Sequence, residues 1–376
     1  MEQRELTADE TYSELISYIQ ENQIFKVMLV CDDSLRYLRI YKYLAEIKQA
    51  SGIHIIYFSD FKPNPLYESV VRGVKWFRRH NCDAIIAIGG GSAIDVAKCI
   101  KLYSNMDPEK NYLCQEIIPN DIKLLAVPTT AGTGSESTRF AVIYYNNEKQ
   151  SIAHDSCLPD AFMLDPSVLK SLPTYQKKSA ALDALCHAIE SFWSVNSTEE
   201  SMRYSEESIK MIRENLEGYL ANEEKCNNPI LRAAHLAGKA INITETTAGH
   251  AMCYKLTSLY GIAHGHGAAL CVGKLWPFMI EHIDRCTDPR GGKHLLEVFL
   301  KIARAMGCAS VTEAAEKFQK ILRDMELSVP VLRDDDMGIL TKSVNPVRLK
   351  NNPVSLTIEM IEYLYRQILE EGNFVI

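Results

Sequence analysis

The first half of the chain alternates short apolar, β-branched runs with amphipathic stretches of helical period. The runs cover residues 26–31, 53–58, 84–88, 124–127 and 140–145, and the helical stretches between them cover 35–49, 66–79 and 93–103. Apolar runs separated by crossover helices are the pattern of a parallel sheet with helices packed on its faces. From about Gln176 the strand pattern stops and long helical patterns follow one another. Asn227–Asn228–Pro229 and Asp288–Pro289–Arg290–Gly291–Gly292 read as turns between these helices. The expected organisation is an α/β domain over residues 1–176 followed by an all-helical domain over 177–376.

Composition narrows the class without changing that picture. A chain of 376 residues is long enough for two domains, and 47% hydrophobic with 24% charged residues is a globular balance. The formal charge of −7 lacks the basic face that a nucleic-acid grip needs, and the short Arg78–Arg79–His80 cluster reads as a solvated helix end. No apolar run reaches the length of a membrane span, and the N-terminus is polar, without the apolar core of an export signal. Eleven cysteines, an odd number with no C-x-x-C pair, fit neither a disulfide framework nor a zinc ribbon. A soluble protein of a reducing cytoplasm is the expectation.

Three constellations carry chemistry. Gly89–Gly90–Gly91–Ser92 follows an apolar run and opens a helical stretch, so the backbone there can approach a pyrophosphate and offer it free N–H groups. It is neither G-x-G-x-x-G nor a Walker A sequence, and alone it fits a plain strand-to-helix turn equally well. Pro128–Glu136 also follows a β run, and in a doubly wound sheet both segments fall on the carboxyl edge where ligands bind. The hydroxyls of Thr129, Thr130 and Thr133 suit phosphate or ribose, although a Ser/Thr-capped loop uses the same residues. In the third, Asp183 and His187 are spaced i, i+4 in a strongly helical stretch and leave one face. That pair alone also fits a helix hydrogen bond. His250 and His264, each beside glycine, extend it to one oxygen and three nitrogen donors, a set that suits a divalent ion with a position left open for a substrate oxygen.

Taken in order, these residues resemble the iron-containing (group III) alcohol dehydrogenases over nearly the whole chain. The marks are Gly-Gly-Gly-Ser-x-x-Asp at Gly89–Asp95, Pro-Thr-Thr-x-Gly-Thr-Gly-Ser-Glu at Pro128–Glu136, Asp-Ala-Leu-x-His-Ala-x-Glu at Asp183–Glu190, and two distal histidines, His250 and His264, with thirteen residues between them. The resemblance implies a Rossmann-like dinucleotide-binding domain, a helical metal domain of dehydroquinate synthase-like architecture, a cleft between them, and a homo-oligomer, a dimer in the family. It implies that Asp183, His187, His250 and His264 hold Fe2+, with Zn2+ also suited to the donors. Gly89, Gly90, Gly91, Ser92 and Asp95 would then face the pyrophosphate, with Thr129, Thr130 and Thr133 along the nicotinamide nucleotide. Asp32, ending the first apolar run, matches the carboxylate near the adenosine ribose, which favours NAD(H) over NADP(H); it also fits a helix cap.

One position departs from the family. Four residues after His250, many members carry a histidine that assists proton transfer, and here Tyr254 stands in its place. Tyr254 and His266 are the candidate proton donors. Segments 190–201, 237–244 and 256–261 further resemble the branch of phosphonoacetaldehyde reductases, which often has Gln at the place of His187. A phosphonate needs cationic partners, and Arg139, Lys255 and His266 are the candidates. The expected activity is hydride transfer between NAD(P)H and a small aldehyde or primary alcohol, such as phosphonoacetaldehyde and 2-hydroxyethylphosphonate. The other readings are a lyase or cyclase like dehydroquinate synthase, and a metal- and nucleotide-binding protein without turnover.

Overall fold

A computed structural model describes residues 3–146, 148–333, 335–344 and 346–369. Internal contacts divide the chain into two units, Met1–Leu172 and Pro173–Ile376. The division falls just ahead of a helix beginning at Thr174, four residues before position 176.

In the first unit, six strands form one wholly parallel sheet in the order β1-β8-β5-β4-β2-β3. They are β1 (Arg4–Thr7), β2 (Lys26–Cys31), β3 (His54–Phe58), β4 (Ala84–Gly89), β5 (Lys123–Pro128) and β8 (Ala161–Leu164). Every residue of the central strand β4 is buried, as expected of a strand covered on both faces. The helices are α1 (Ser13–Glu21), α2 (Arg39–Ser51), α3 (Tyr67–Arg79) and α4 (Gly91–Tyr103). Ile94, Val96, Ala97 and Ile100 of α4 are fully buried in a core shared with Met28, Val30, Val74 and Ala87. The edge strand β1 and its neighbour β8 are four residues each, too short to leave a period in the sequence.

Run 140–145 is a strand, β6 (Phe140–Tyr145), but it lies outside this sheet. It pairs antiparallel with β7 (Glu148–Ala153) in a separate hairpin, turning through Asn146 at φ 52°. Asparagine tolerates the left-handed region that a tight hairpin turn demands, so the local partner is reached first. Ala141 and Ile143 alone of β6 are fully buried, which gives it one packed face.

The second unit is helical, with one isolated bridge between Cys286 and Val354. Its helices are α5 (Thr174–Trp193), α6 (Glu199–Leu220), α7 (Asn227–Thr244), α8 (Ala248–Tyr260), α9 (His264–Glu281), α10 (Gly292–Ala305), α11 (Val311–Asp324), α12 (Asp336–Ser343), α13 (Pro346–Leu349) and α14 (Ile358–Leu369). Asn227–Pro229 is the first turn of α7 rather than a turn between helices. Proline is accommodated there because a helix's first N–H groups have no intrahelical partner to lose. Trp276 of α9 sits edge-on to Trp193 of α5, with ring centroids 5.7 Å apart, and 6.0 Å from Phe318 of α11. This aromatic packing ties α5, the carrier of Asp183, to α9, the carrier of His264. Among the described residues, no helix is long and apolar enough to cross a membrane.

Candidate active site

The helical unit gathers the third constellation. Asp183 and His187 lie one turn apart on α5, His250 opens α8, and His264 is the first residue of α9. Asp183 Oδ1 is 3.5 Å from His250 Nε2, 3.9 Å from His264 Nε2 and 4.0 Å from His187 Nε2. Asp183, His187 and His250 are buried and offer ligand atoms within 4.8 Å of one another. His264 completes the ring of donors from the open side, with 37% of its side chain exposed.

Glycines make this approach possible. A Cβ on Gly265 would stand 2.1 Å from the Ser179 carbonyl oxygen and 2.5 Å from Asp183 Cβ, so the start of α9 presses on the α5 backbone. A Cβ on Gly249 would meet Glu190 Oε1 at 2.9 Å. The turn between α8 and α9 is tied down by Tyr175, whose hydroxyl accepts from Ala263 N at 2.9 Å, and by Ser179, whose hydroxyl accepts from His266 N at 3.1 Å.

Polar atoms at the centre stand without hydrogen-bond partners. Asp183 Oδ1 and His250 Nε2 are buried and neither makes a hydrogen bond. Burial alone would raise the Asp183 pKa, but His187, His264 and His250 outweigh it and hold the carboxyl below its usual range. His250 likewise resists burial, pushed up to about 9 by Glu190 and Asp183. The far side of its ring, Nδ1, meets Glu190 Oε2. Glu190 Oε1 accepts from Thr247 Oγ1 at 2.6 Å, and Thr247 accepts from Trp193 Nε1 at 2.9 Å. One carboxylate oxygen among imidazole nitrogens, with orphaned buried donor atoms, fits a divalent ion.

Tyr254 stacks on His264, with ring centroids 5.5 Å apart and planes 11° from parallel. Burial raises its pKa, so the phenol stays protonated, and its hydroxyl shares a hydrogen bond with Thr246. His266 turns elsewhere: it is buried, its Nδ1 lies 3.2 Å from the Tyr175 hydroxyl, and burial pushes its pKa down to about 4. Lys255 follows Tyr254 on α8 and is half-buried. Arg139 belongs to the first unit, where it reaches Asp155 at 3.3 Å.

In the first unit the two Gly- and Thr-rich loops abut on the carboxyl edge. A Cβ on Gly91 would lie 2.9 Å from Thr133 Cγ2, and one on Gly90 would lie 3.5 Å from Thr130 Cγ2. Ala93 N and Ile94 N both donate to Gly90 O, so the Gly91 and Ser92 N–H groups lie ahead of the first intrahelical bond, as anion binding requires. Gly89 O accepts from Thr129 N at 3.0 Å, which ties the ends of the two strands. Asp95 holds the second loop rather than facing a phosphate. Its Oδ1 accepts from Ser135 Oγ at 2.6 Å and its Oδ2 from Val142 N at 3.0 Å. Lys98, fully buried, donates to Ser135 Oγ, Thr138 Oγ1 and Phe140 O. Asp32 is exposed at the end of β2, and its Oδ1 accepts from Ser34 N at 2.8 Å.

Two residues of these sites escaped the sequence reading. Glu190 lay within the Asp183–Glu190 motif, but its role needs the crossing of α5 and α8. Lys98 carries no local pattern at all.

Comparison with known proteins shows the family. Residues 4–166 match the model of iron-containing alcohol dehydrogenase, and residues 178–369 match that of the Fe-containing alcohol dehydrogenase family, C-terminal. The phosphonoacetaldehyde reductase of Streptomyces viridochromogenes is 30% identical over 78% of each chain. Alcohol dehydrogenase 4 of Saccharomyces cerevisiae is 28% identical over 95% of this chain and 94% of its own. The sulfoacetaldehyde reductase of Bifidobacterium kashiwanohense, solved in complex with NAD+, shares the fold at a TM-score of 0.85 and 23% identity, covering 97% of this chain and 96% of that one. The chain spans 38% of the length of the aldehyde-alcohol dehydrogenases that it also matches. The chain belongs to the iron-containing alcohol dehydrogenase family. It is an oxidoreductase of aldehydes and alcohols, and the reading as a dehydroquinate synthase-like lyase is set aside.

Proposed function

We propose that this protein reduces a short aldehyde with NADH at a divalent ion held by Asp183, His187, His250 and His264, and that the aldehyde carries a phosphonate. The observation that supports this most strongly is the Asp183 carboxylate, buried among three imidazoles with Oδ1 lacking any hydrogen bond. Ferrous iron is the ion that the family suggests, and the donors also suit zinc. A bound ion supplies Lewis acidity to a carbonyl oxygen, and a bound nicotinamide supplies the hydride.

The chain's own residues do the rest. Glu190 accepts a hydrogen bond from Nδ1–H of His250, which holds the proton there and leaves the Nε2 lone pair on the Asp183 side. The Gly91 and Ser92 N–H groups take the pyrophosphate, and Thr129, Thr130 and Thr133 line the nucleotide. Asp32, with one oxygen on Ser34, keeps the other for an adenosine ribose hydroxyl, which favours NADH over NADPH. Tyr254, a protonated phenol beside His264, is the donor that orients the substrate or delivers the proton. His266 is the alternative donor, and its contact with Tyr175 suits the lesser part.

The phosphonate reading rests on the resemblance of three segments to phosphonoacetaldehyde reductases and on the relative of that name. Eleven cysteines outside any disulfide, nine of them buried, suit a reducing cytoplasm. NADH oxidation with a panel of aldehydes tests the proposal. Phosphonoacetaldehyde should exceed propanal about a hundredfold in kcat/KM, the worth of one or two charge-assisted hydrogen bonds. Equal rates would reduce the reading to a general aldehyde reductase, and no turnover with any aldehyde would favour a binding protein.

A further inference from the structure

A shielded cation stands beside Tyr254. Arg348, on α13, has only 15% of its side chain exposed, and its Nη1 lies 3.3 Å from Glu245 Oε2 and 3.4 Å from Thr246 Oγ1. Thr246 also bonds the Tyr254 hydroxyl, and the phenol feels the Arg348 charge. Since Tyr254 stacks on His264, a chain of contacts runs from the edge of the donor ring to the guanidinium, all within the helical unit.

The turn that carries Glu245 is strained. Glu245 caps α7 at φ 59° and ψ 178°, a region that a residue with a Cβ adopts only when its surroundings force it. Asn351 supplies the force, donating from Nδ2 to Glu245 Oε2 and to Thr246 O, both at 3.2 Å. Asn196 in turn donates to Asn351 Oδ1 at 3.1 Å. Asn351 therefore already secures Glu245, and Arg348 is redundant as a pin.

What Arg348 adds is a charge and an unused edge. A guanidinium carries donors on three nitrogens, and only Nη1 is engaged among the described residues. The Nε and Nη2 hydrogens run parallel along the other side, a spacing that matches two oxygens of a phosphonate or sulfonate.

We propose that Arg348 is the specificity-determining residue of this site, its unused guanidinium edge binding the tetrahedral oxyanion carried by the aldehyde. This rests on the reading of an anionic aldehyde as substrate, and it gives to Arg348 the part that sequence spacing suggested for Arg139 and Lys255. Glu245 competes for the same cation and tempers its affinity.

The test uses the metal-loaded protein and methylphosphonate, an anion without a carbonyl, followed by calorimetry, together with kcat/KM for phosphonoacetaldehyde and propanal. In Arg348→Gln, methylphosphonate affinity should fall at least tenfold, and the ratio of phosphonoacetaldehyde to propanal kcat/KM should fall about a hundredfold. Arg348→Lys should recover part of the affinity but not the bidentate share. Glu245→Gln, which removes the competing charge and keeps the acceptor, should tighten methylphosphonate severalfold, a gain that a merely structural arginine would not produce. Undiminished methylphosphonate binding in Arg348→Gln, or equal losses for both aldehydes, would overturn the assignment. Should Arg348→Gln fail to fold, an unchanged or weaker affinity in Glu245→Gln would overturn it instead. If the wild type shows no preference for phosphonoacetaldehyde, that reading of the substrate fails by itself. Methylphosphonate affinity in the variants then still decides whether Arg348 serves some other anionic aldehyde.

Discussion

The Glu190 carboxylate meets Nδ1 of His250, on the side of the ring opposite Nε2, which lies 3.5 Å from Asp183. A carboxylate on Nδ1 fixes the proton there and leaves Nε2 as a lone pair, the state that a metal ligand needs. Glu190 also accepts from Thr247, and from the His250 backbone N–H at 3.3 Å, so it sets both the ring and the start of α8.

Replacing Glu190 with Gln keeps an acceptor but removes the charge that strengthens the ligand. Affinity for Fe2+ or Zn2+, measured by chelator competition, should fall roughly 10–100-fold with the fold retained. An unchanged affinity would mean that Glu190 is only a packing carboxylate.

Gly265→Ala tests the approach of α9 to α5. The added methyl would stand 2.1 Å from the Ser179 carbonyl and 2.9 Å from Asp183 N, both backbone atoms with little freedom to move. We expect a loss of about 1–3 kcal/mol in stability together with lowered metal occupancy. A variant with wild-type melting and metal content would show that the two helices separate without cost.

Coenzyme choice tests Asp32. Wild type should favour NADH over NADPH in kcat/KM, and Asp32→Ala should narrow the ratio, because a carboxylate repels a 2′-phosphate. If the wild type prefers NADPH, Asp32 is a cap for the turn at Ser34 and nothing more.

Asp160 links pH to the stability of the first unit. Burial would raise its pKa, but Lys101, the Leu124 N–H and Lys123 outweigh burial and lower it. Its oxygens accept from Lys101 Nζ at 2.9 Å, Leu124 N at 3.0 Å and Lys123 Nζ at 3.2 Å. A lowered folded-state pKa contributes stability above the ordinary value of about 3.9, and that stability is lost as pH falls through the folded value. Asp160→Asn should therefore be less stable by about 1–3 kcal/mol at neutral pH. The gap should hold down to about pH 4 and close below it. A gap independent of pH, followed by denaturant unfolding, would assign the loss to packing.

Local periodicity carried much of this structure, and long-range contacts carried the rest. The spacing of Asp183 and His187 on one helix, and the glycines beside His250 and His264, are written in neighbouring residues. Run 140–145 shows its strand period equally plainly, yet period says nothing of partner, and the turn at Asn146 sent it to a hairpin. Asp95 sits where a ligand residue could sit, but Ser135 and Val142, more than forty residues away on average, claim both its oxygens. Arg348 reaches Thr246 across 102 residues of chain. Glu245 owes its strained backbone to the same tertiary contacts. Neither leaves a trace in local pattern.

The most direct test of the central claim is metal dependence of NADH oxidation. Purified protein should lose aldehyde-dependent NADH oxidation when its metal is removed by a chelator, and regain it on addition of Fe2+, saturating near a single equivalent per chain. Asp183→Asn, treated the same way, should recover little. Turnover that survives complete removal of metal, or full recovery in Asp183→Asn, would contradict the account.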